Sequence, residues 1–186
     1  MNTTQHILAA TAVALTAACG GPSPEVGPDG GDADAATAVG ELRLGGAAAD
    51  GLGFVELTDG EDVELIGGAQ GGFHFWTGYR LRGFMGEVRV ERSARRVRDG
   101  ALVLRAPTQV FEVPEDAMEG WWERPEAVAS FMCPAPVGIR VYDEELVLHT
   151  VIRNRDQDLL AEDELGVIPR CPTGDLEAFC LDICDG

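Results

Sequence analysis

Lysine is absent from this 186-residue chain, and positive charge of any kind is scarce. All 14 basic residues are arginines, set against 32 acidic residues, so the formal net charge at pH 7 is -18. A protein that binds nucleic acid needs a basic face to meet the phosphate backbone. The charge therefore excludes a nucleic-acid partner, and we interpret the acidic surface as a source of solubility.

Residues and motifs typical of enzymes are also scarce. The only serines are Ser23, Ser93 and Ser130, and only two histidines lie beyond the N-terminus, His74 and His149. No G-x-S-x-G, H-E-x-x-H, Walker or G-x-G-x-x-G pattern is present. A Ser–His pair would need a serine beside a histidine in the fold, which nothing local indicates. We therefore expect no catalytic residues, no metal and no cofactor. The alternative is an envelope hydrolase or metal-binding β-sandwich whose site is assembled from loops.

Long hydrophobic runs are missing as well, since a membrane-spanning helix needs about 20 apolar residues. The run Ile7 to Ala18 is shorter, uncharged and rich in small residues, as in a signal peptide. The adjoining Leu15-Thr16-Ala17-Ala18-Cys19 resembles the lipobox of bacterial lipoproteins, which are cut before the cysteine and lipidated on it. The resemblance implies a signal peptide at 1–18 and a lipid anchor on Cys19. Because Gly20 is not the Asp that retains many such lipoproteins in the inner membrane, it also implies a cell-envelope location at the outer membrane.

Residues 19–40 are predicted to form a flexible tether behind the lipidated cysteine. They are rich in Gly, Pro, Ala and Asp and contain too little apolar surface to fold. Residues 41–186 are enough for one domain with a hydrophobic core.

Short alternating apolar runs, not helical stripes, fill residues 41–170. They predict an all-β fold, an antiparallel β-sandwich, with a helical turn at 115–119 and a short C-terminal helix at 174–184. The predicted strands are 53–57, 62–66, 72–82, 87–91, 101–113 with a break at Pro107, 138–142, 144–153 and 166–170.

His74 lies in the predicted strand 72–82. Alternation places its two neighbours, Phe73 and Phe75, on the core face. The pattern Gln70-Gly71-Gly72-x-His74-x-Trp76 is similar to one in uncharacterised lipoproteins with a single immunoglobulin-like domain. That resemblance implies an immunoglobulin-like fold and no activity. We interpret both histidines as structural, bonded to neighbouring groups within or beside the core. The alternative is a copper site formed by His74 and His149 with Cys133 or Met132.

Three further clusters are candidates for binding. Trp121 and Trp122 are adjacent and so point apart in an extended chain. Either one caps the sandwich and the other lies flat under a loop, or one is exposed beside Arg124 as a contact for a partner or a sugar. The acidic segment 154–164 is either a solvated hairpin tip or a calcium loop, although it lacks the Gly and Glu of an EF-hand. A group of arginines is expected to coat an exposed hairpin: Arg89, Arg92, Arg95, Arg96 and Arg98.

Five cysteines are present, and four remain beyond Cys19. In an oxidising compartment these predict two disulfides, and each possible connectivity joins Cys133 to the C-terminal segment. Because side chains four apart on a helix tilt the same way, a bond between Cys180 and Cys184 is disfavoured. We expect Cys171 to bond one of these two and Cys133 the other. The alternative, a four-thiolate zinc site, lacks the usual C-x2-C pairs.

The sequence thus predicts a lipid-anchored envelope protein with a single β-sandwich. We expect a structural or protein-interaction module whose partners are the membrane, through the anchor, and an envelope protein.

Overall fold

The computed structural model describes residues 39–186, which contain eleven β-strands, one turn of 3-10 helix at Glu115–Met118 and one α-helix, α1 (Glu177–Cys184). No helix in this part of the chain is long and apolar enough to cross a bilayer. The predicted signal peptide, Cys19 and the tether up to residue 38 lie outside the described residues. The strands are β1 (Glu41–Gly45), β2 (Glu61–Glu64), β3 (Ile66–Gly67), β4 (Phe73–Arg82), β5 (Gly86–Arg96), β6 (Leu102–Arg105), β7 (Gln109–Val113), β8 (Trp122–Glu123), β9 (Val128–Cys133), β10 (Leu146–Arg153) and β11 (Leu159–Arg170).

The strands form two sheets, which confirms the prediction of a sandwich-like, all-β architecture. In the first sheet β4 is central, and β1, β3, β8 and β9 all pair with it. The second sheet has the order β2-β11-β10-β5-β6, and β7 continues beside β5. Every pair is antiparallel except β2 with β11, which is parallel. The expectation of a wholly antiparallel sandwich is therefore wrong at this edge.

The core lies between the sheets because both central strands alternate. In β4 the predicted core face is buried, from Phe73 and Phe75 through to Leu81. In β10 the buried positions include Leu146, Leu148 and Ile152. Burying large aliphatic and aromatic side chains in this way stabilises the fold by roughly 1.5–3 kcal/mol each.

Several strand predictions differ from the structure. The segment 53–57 makes only a single bridge, from Val55 to Gly46, and 138–142 is a turn region. The predicted strand 62–66 is divided between the sheets. Strand β2 belongs to the second sheet and β3 to the first, and the buried Leu65 lies between them. Strands β1, β8 and β9 were not predicted: β1 and β8 are short, and β9 reads V-A-S-F-M-C without a clean alternation of apolar and polar residues.

The C-terminal helix α1 is held by two disulfides, which confirms the predicted pairing. Cys133 of β9 bonds Cys184, and Cys171 bonds Cys180, with Cα–Cα distances of 5.1 Å and 5.7 Å. Both α1 cysteines are fully buried. The helix therefore closes one end of the sandwich against β9.

Candidate functional site

The adjacent tryptophans Trp121 and Trp122 lie in different environments. The guanidinium carbons of Arg43 and Arg82 lie 5.0 Å and 4.9 Å from the centroid of the half-buried Trp121 ring. These are cation–π distances. Trp122 packs on the hydrophobic core, 6.3 Å from the ring of Phe111. Of the pair, Trp121 is the one that meets the polar side chains of the sheet surface.

Arg124 contacts a different ring from Trp121. Its guanidinium carbon lies 5.1 Å from the ring centroid of Phe111, and its backbone N–H donates to the carbonyl of Tyr79. The arginines beside Trp121 are Arg43 of β1 and Arg82 of β4. They are far from Trp121 in sequence, so the sequence alone did not identify them.

A second aromatic ring, Phe54, lies on the outer face of the first sheet. It packs over Gly45 and Gly78, where an added Cβ would stand 2.6 Å and 3.1 Å from ring carbons of Phe54. Glycine is needed at both positions because a Cβ would also stand 2.4 Å from a backbone carbonyl oxygen, that of Val55 at Gly45 and that of Gly46 at Gly78. Arg80 covers Phe54 at 5.0 Å from the ring centroid. We call Phe54 and Trp121, with Arg43, Arg80 and Arg82, the outer aromatic row.

Each arginine of the outer aromatic row has an acidic partner. Arg80 pairs with Glu123 at 2.7 Å and Arg43 with Glu56 at 3.8 Å. Arg82 pairs closely with Glu41. Such exposed pairs add little stability, but they hold the guanidinium groups in place over the rings. The result is a preorganised surface of aromatic rings and arginines.

His74 lies further along β4 and is only 6% exposed. Its ring is packed by Trp76 and Phe131, at centroid distances of 4.5 Å and 5.4 Å. Within the described part of the chain neither ring nitrogen has a hydrogen-bond partner. The expectation that bonds to neighbouring groups would hold this histidine is therefore wrong, because aromatic packing holds it instead. Burial lowers the pKa of His74, so the neutral ring is favoured.

His149 lies in the second sheet, so the structure does not bring the two histidines together. Its cross-strand neighbour is Ser93 of β5, and its Nε2 lies 3.6 Å from Oε2 of Glu162. Ser93 and His149 are therefore neighbours on adjacent strands, but no hydrogen bond joins them within residues 39–186.

The expectation that the arginine group coats an exposed hairpin is wrong for Arg92 and Arg96, whereas Arg95 and Arg98 are exposed. Arg92 is 6% and Arg96 4% exposed, because β5 continues to residue 96 and its inward face includes both side chains. Arg96 donates from Nε and Nη2 to the carboxylate of Asp99, at 3.1 Å and 2.6 Å. These bonds lower the pKa of Asp99 to about 2. Arg92 has no such partner.

The acidic segment 154–164 forms a hairpin tip and part of a strand. At the tip, Asp158 is bonded to Asn154 by its backbone N–H and by its carboxylate, both at 2.9 Å. In β11, Asp163 accepts a hydrogen bond from the N–H of Leu44 at 2.8 Å, and burial raises its pKa. Over residues 39–186 these carboxylates do not converge on one point as calcium ligands would.

The one cluster of potential metal ligands in the described chain is Cys171, Cys180 and Cys184. Each of these sulfurs is in a disulfide, as is Cys133, so none is a thiolate for zinc or copper. Of the predicted interaction residues only Trp121 belongs to the outer aromatic row, whereas Trp122 and Arg124 lie near Phe111. The predicted disulfide residues form the two bonds that hold α1, which we call the staple. No protein-family model matches the chain, and no curated protein matches it.

Proposed function

We propose that this protein is a lipid-anchored interaction module of the bacterial cell envelope that binds an envelope protein and catalyses no reaction. The observation that carries the proposal is the outer aromatic row. Tryptophan and arginine are the residues most enriched among those that dominate binding energy at protein interfaces. Here Trp121 is held between arginines of two strands on a sheet face, outside the core.

The rest of the proposal follows from the sequence. The disulfides fit an exported protein, and a lipobox with a polar tether fits attachment at the outer membrane. The two-sheet sandwich and the Q-G-G-x-H-x-W pattern support an immunoglobulin-like domain, a fold that commonly presents binding surfaces. The net charge of -18 supports a protein partner and not a nucleic acid.

Site-specific photo-cross-linking in the intact envelope tests the proposal. A benzophenone amino acid placed at Trp121 is expected to give one discrete adduct with an envelope protein. The same probe at Glu91, on the exposed outer face of the second sheet, is the matched control and is expected to give none. Excess purified domain should compete for the adduct at 121. Equal labelling from both positions, or no adduct from 121, would contradict the proposal.

A further inference from the structure

Arg92 brings a positive charge into the space between the sheets. It follows Val88 and Val90 on the inward face of β5 and precedes Ala94. Its Nη1 donates to Ser130 Oγ at 2.9 Å and to the carbonyl of Ala129 at 3.3 Å. Both acceptors are uncharged and belong to the opposite sheet. The guanidinium therefore crosses the sandwich without meeting an acid.

The charge on Arg92 is not neutralised within the described chain. A guanidinium has five N–H donors, and Arg92 uses only Nη1 in its two hydrogen bonds, while its Nε is buried without a partner. The carboxylate of Asp99 neutralises Arg96 on the same strand face, but no ion pair joins Arg92 to an acid among residues 39–186. A buried unpaired charge is costly, so an anion would be stabilised here.

A cavity of about 500 Å³ opens beside Arg92 at the edge of the sandwich. It lies where the edge strand is interrupted: β6 ends at Arg105, β7 begins at Gln109, and Pro107 between them has no N–H to pair with β5. The volume is in the range of ordinary small-ligand sites. Its lining comprises Arg92, Val103, Leu104, Arg105, Ala106, Pro107, Gln109, Val128, Ala129 and Phe131.

The walls of the cavity are mainly apolar, and its polar groups are few. Phe131, which is 57% exposed, lies at the rim, and Val103 and Val128 line the interior. Gln109 is in the same lining, and only its amide N–H groups could donate to an anion, because its Oε1, which is buried without a partner, can only accept. Apolar walls with a small number of fixed polar groups are the usual composition of a ligand site.

We propose that this cavity binds a monoanionic amphiphile, an acyl carboxylate, with the carboxylate on Arg92 and the alkyl chain against the apolar walls. Arg92 is the buried guanidinium of the lining, whereas Arg105 is exposed to solvent, so one buried charge matches one carboxylate. Guanidinium–carboxylate bonds are strong and directional. The 32 acidic residues of the chain disfavour a polyanion. The site does not include the outer aromatic row and is independent of partner binding there.

Isothermal titration of the purified domain with octanoate, below its micelle concentration, tests the site. Octan-1-ol has the same chain without the charge, and acetate has the charge without the chain. Saturable binding of octanoate is expected, with both comparison compounds at least about tenfold weaker, since either the charge-assisted bond or the buried chain is lost. Octanoate that binds no better than octan-1-ol would overturn the role of Arg92.

Three variants connect the binding to the cavity. Arg92→Gln removes the charge and is expected to weaken octanoate binding by about tenfold or more. Ala106→Leu leaves Arg92 intact but fills the cavity, and it is expected to abolish binding. Arg95→Gln removes the same charge from an exposed position of the same strand and is expected to bind as the native protein does.

The variants also separate the proposal from a general loss of fold. If Arg92→Gln does not fold, Ala106→Leu decides the question, because it leaves the charged group in place. Full octanoate binding by a folded Ala106→Leu protein would overturn the proposal. So would absence of saturable binding by the native domain, or an equal loss in Arg95→Gln.

Discussion

His74 packs against aromatic rings and has no side-chain hydrogen bond within residues 39–186, so its protonation state matters for stability. Burial lowers the pKa of the folded-state imidazole below its ordinary 6.5. The unfolded chain therefore takes up the proton more readily than the folded protein does. Stability is fully present above pH 6.5 and is lost as pH falls from there through the lowered folded-state pKa.

The first prediction concerns this histidine. His74→Phe keeps an aromatic ring but cannot be protonated, so its stability should decline less between about pH 7.5 and pH 5. The difference between the two proteins should grow as pH falls from 6.5 through the lowered folded-state pKa of His74. Urea denaturation at each pH measures it.

His149→Gln is the control, because His149 lies half-exposed on the outer face of β10. It should keep the native decline. Because native protein and variants share all the other titratable groups, the comparison isolates the imidazole. A decline in His74→Phe equal to that of the native protein would show that His74 is not the group that titrates.

Individual residues were predictable where neighbours in sequence decide their environment. Alternation placed Phe73 and Phe75 in the core, and helix geometry excluded a Cys180–Cys184 bond. Arg92 was predicted on an exposed hairpin because it is charged. Its position, two residues after Val90 on the same strand face, makes it buried. Its hydrogen-bond partners come from β9, 37 and 38 residues away, and no local pattern could identify them.

Among the elements, those with their own periodicity were predicted and those that depend on partners were not. The strands β4, β5 and β10 alternate over many residues and were recognised from sequence. By contrast, β9 reads V-A-S-F-M-C and is a strand because it pairs with β4. The parallel pairing of β2 with β11 likewise depends on the path of the chain between the sheets, which periodicity does not encode.

The second prediction concerns the staple at α1. The Cys133–Cys184 bond spans 51 residues and the Cys171–Cys180 bond spans 9. By loop-closure entropy these lengths correspond to about 4 and about 2.5 kcal/mol. Replacing Cys133 and Cys184 with alanine should therefore lower the free energy of unfolding more than replacing Cys171 and Cys180.

Urea denaturation of the two double variants under non-reducing conditions gives the comparison. Each variant removes one disulfide and two sulfur atoms, so each serves as the control for the other. An equal or larger loss from the short loop would mean that local packing around α1, and not closure of the long loop, dominates the staple.

At the scale of the whole molecule, charge and anchoring are linked. With a net charge of -18, the protein is repelled by an anionic membrane surface, and each arginine of the outer aromatic row has an acid beside it. Any lasting attachment to the membrane must therefore come from the acyl chains proposed on Cys19. Attachment of that kind is hydrophobic and resists salt, because screening weakens only electrostatic contacts.

The third prediction concerns the proposed lipid anchor on Cys19. The native protein should enter the detergent phase in a Triton X-114 partition and should remain in the membrane fraction after a high-salt wash, since several acyl chains together give stable insertion. Cys19→Ser should move to the aqueous phase or accumulate as the uncleaved precursor, and mass spectrometry of the N-terminal peptide should find no lipid.

Ser23→Ala, a small change four residues further on, is the control and should partition as the native protein does. Because a net charge of -18 disfavours electrostatic binding to anionic lipid, we expect the Cys19→Ser protein to leave the membrane once its signal peptide is removed. A processed Cys19→Ser protein that still enters the detergent phase would contradict the lipid anchor.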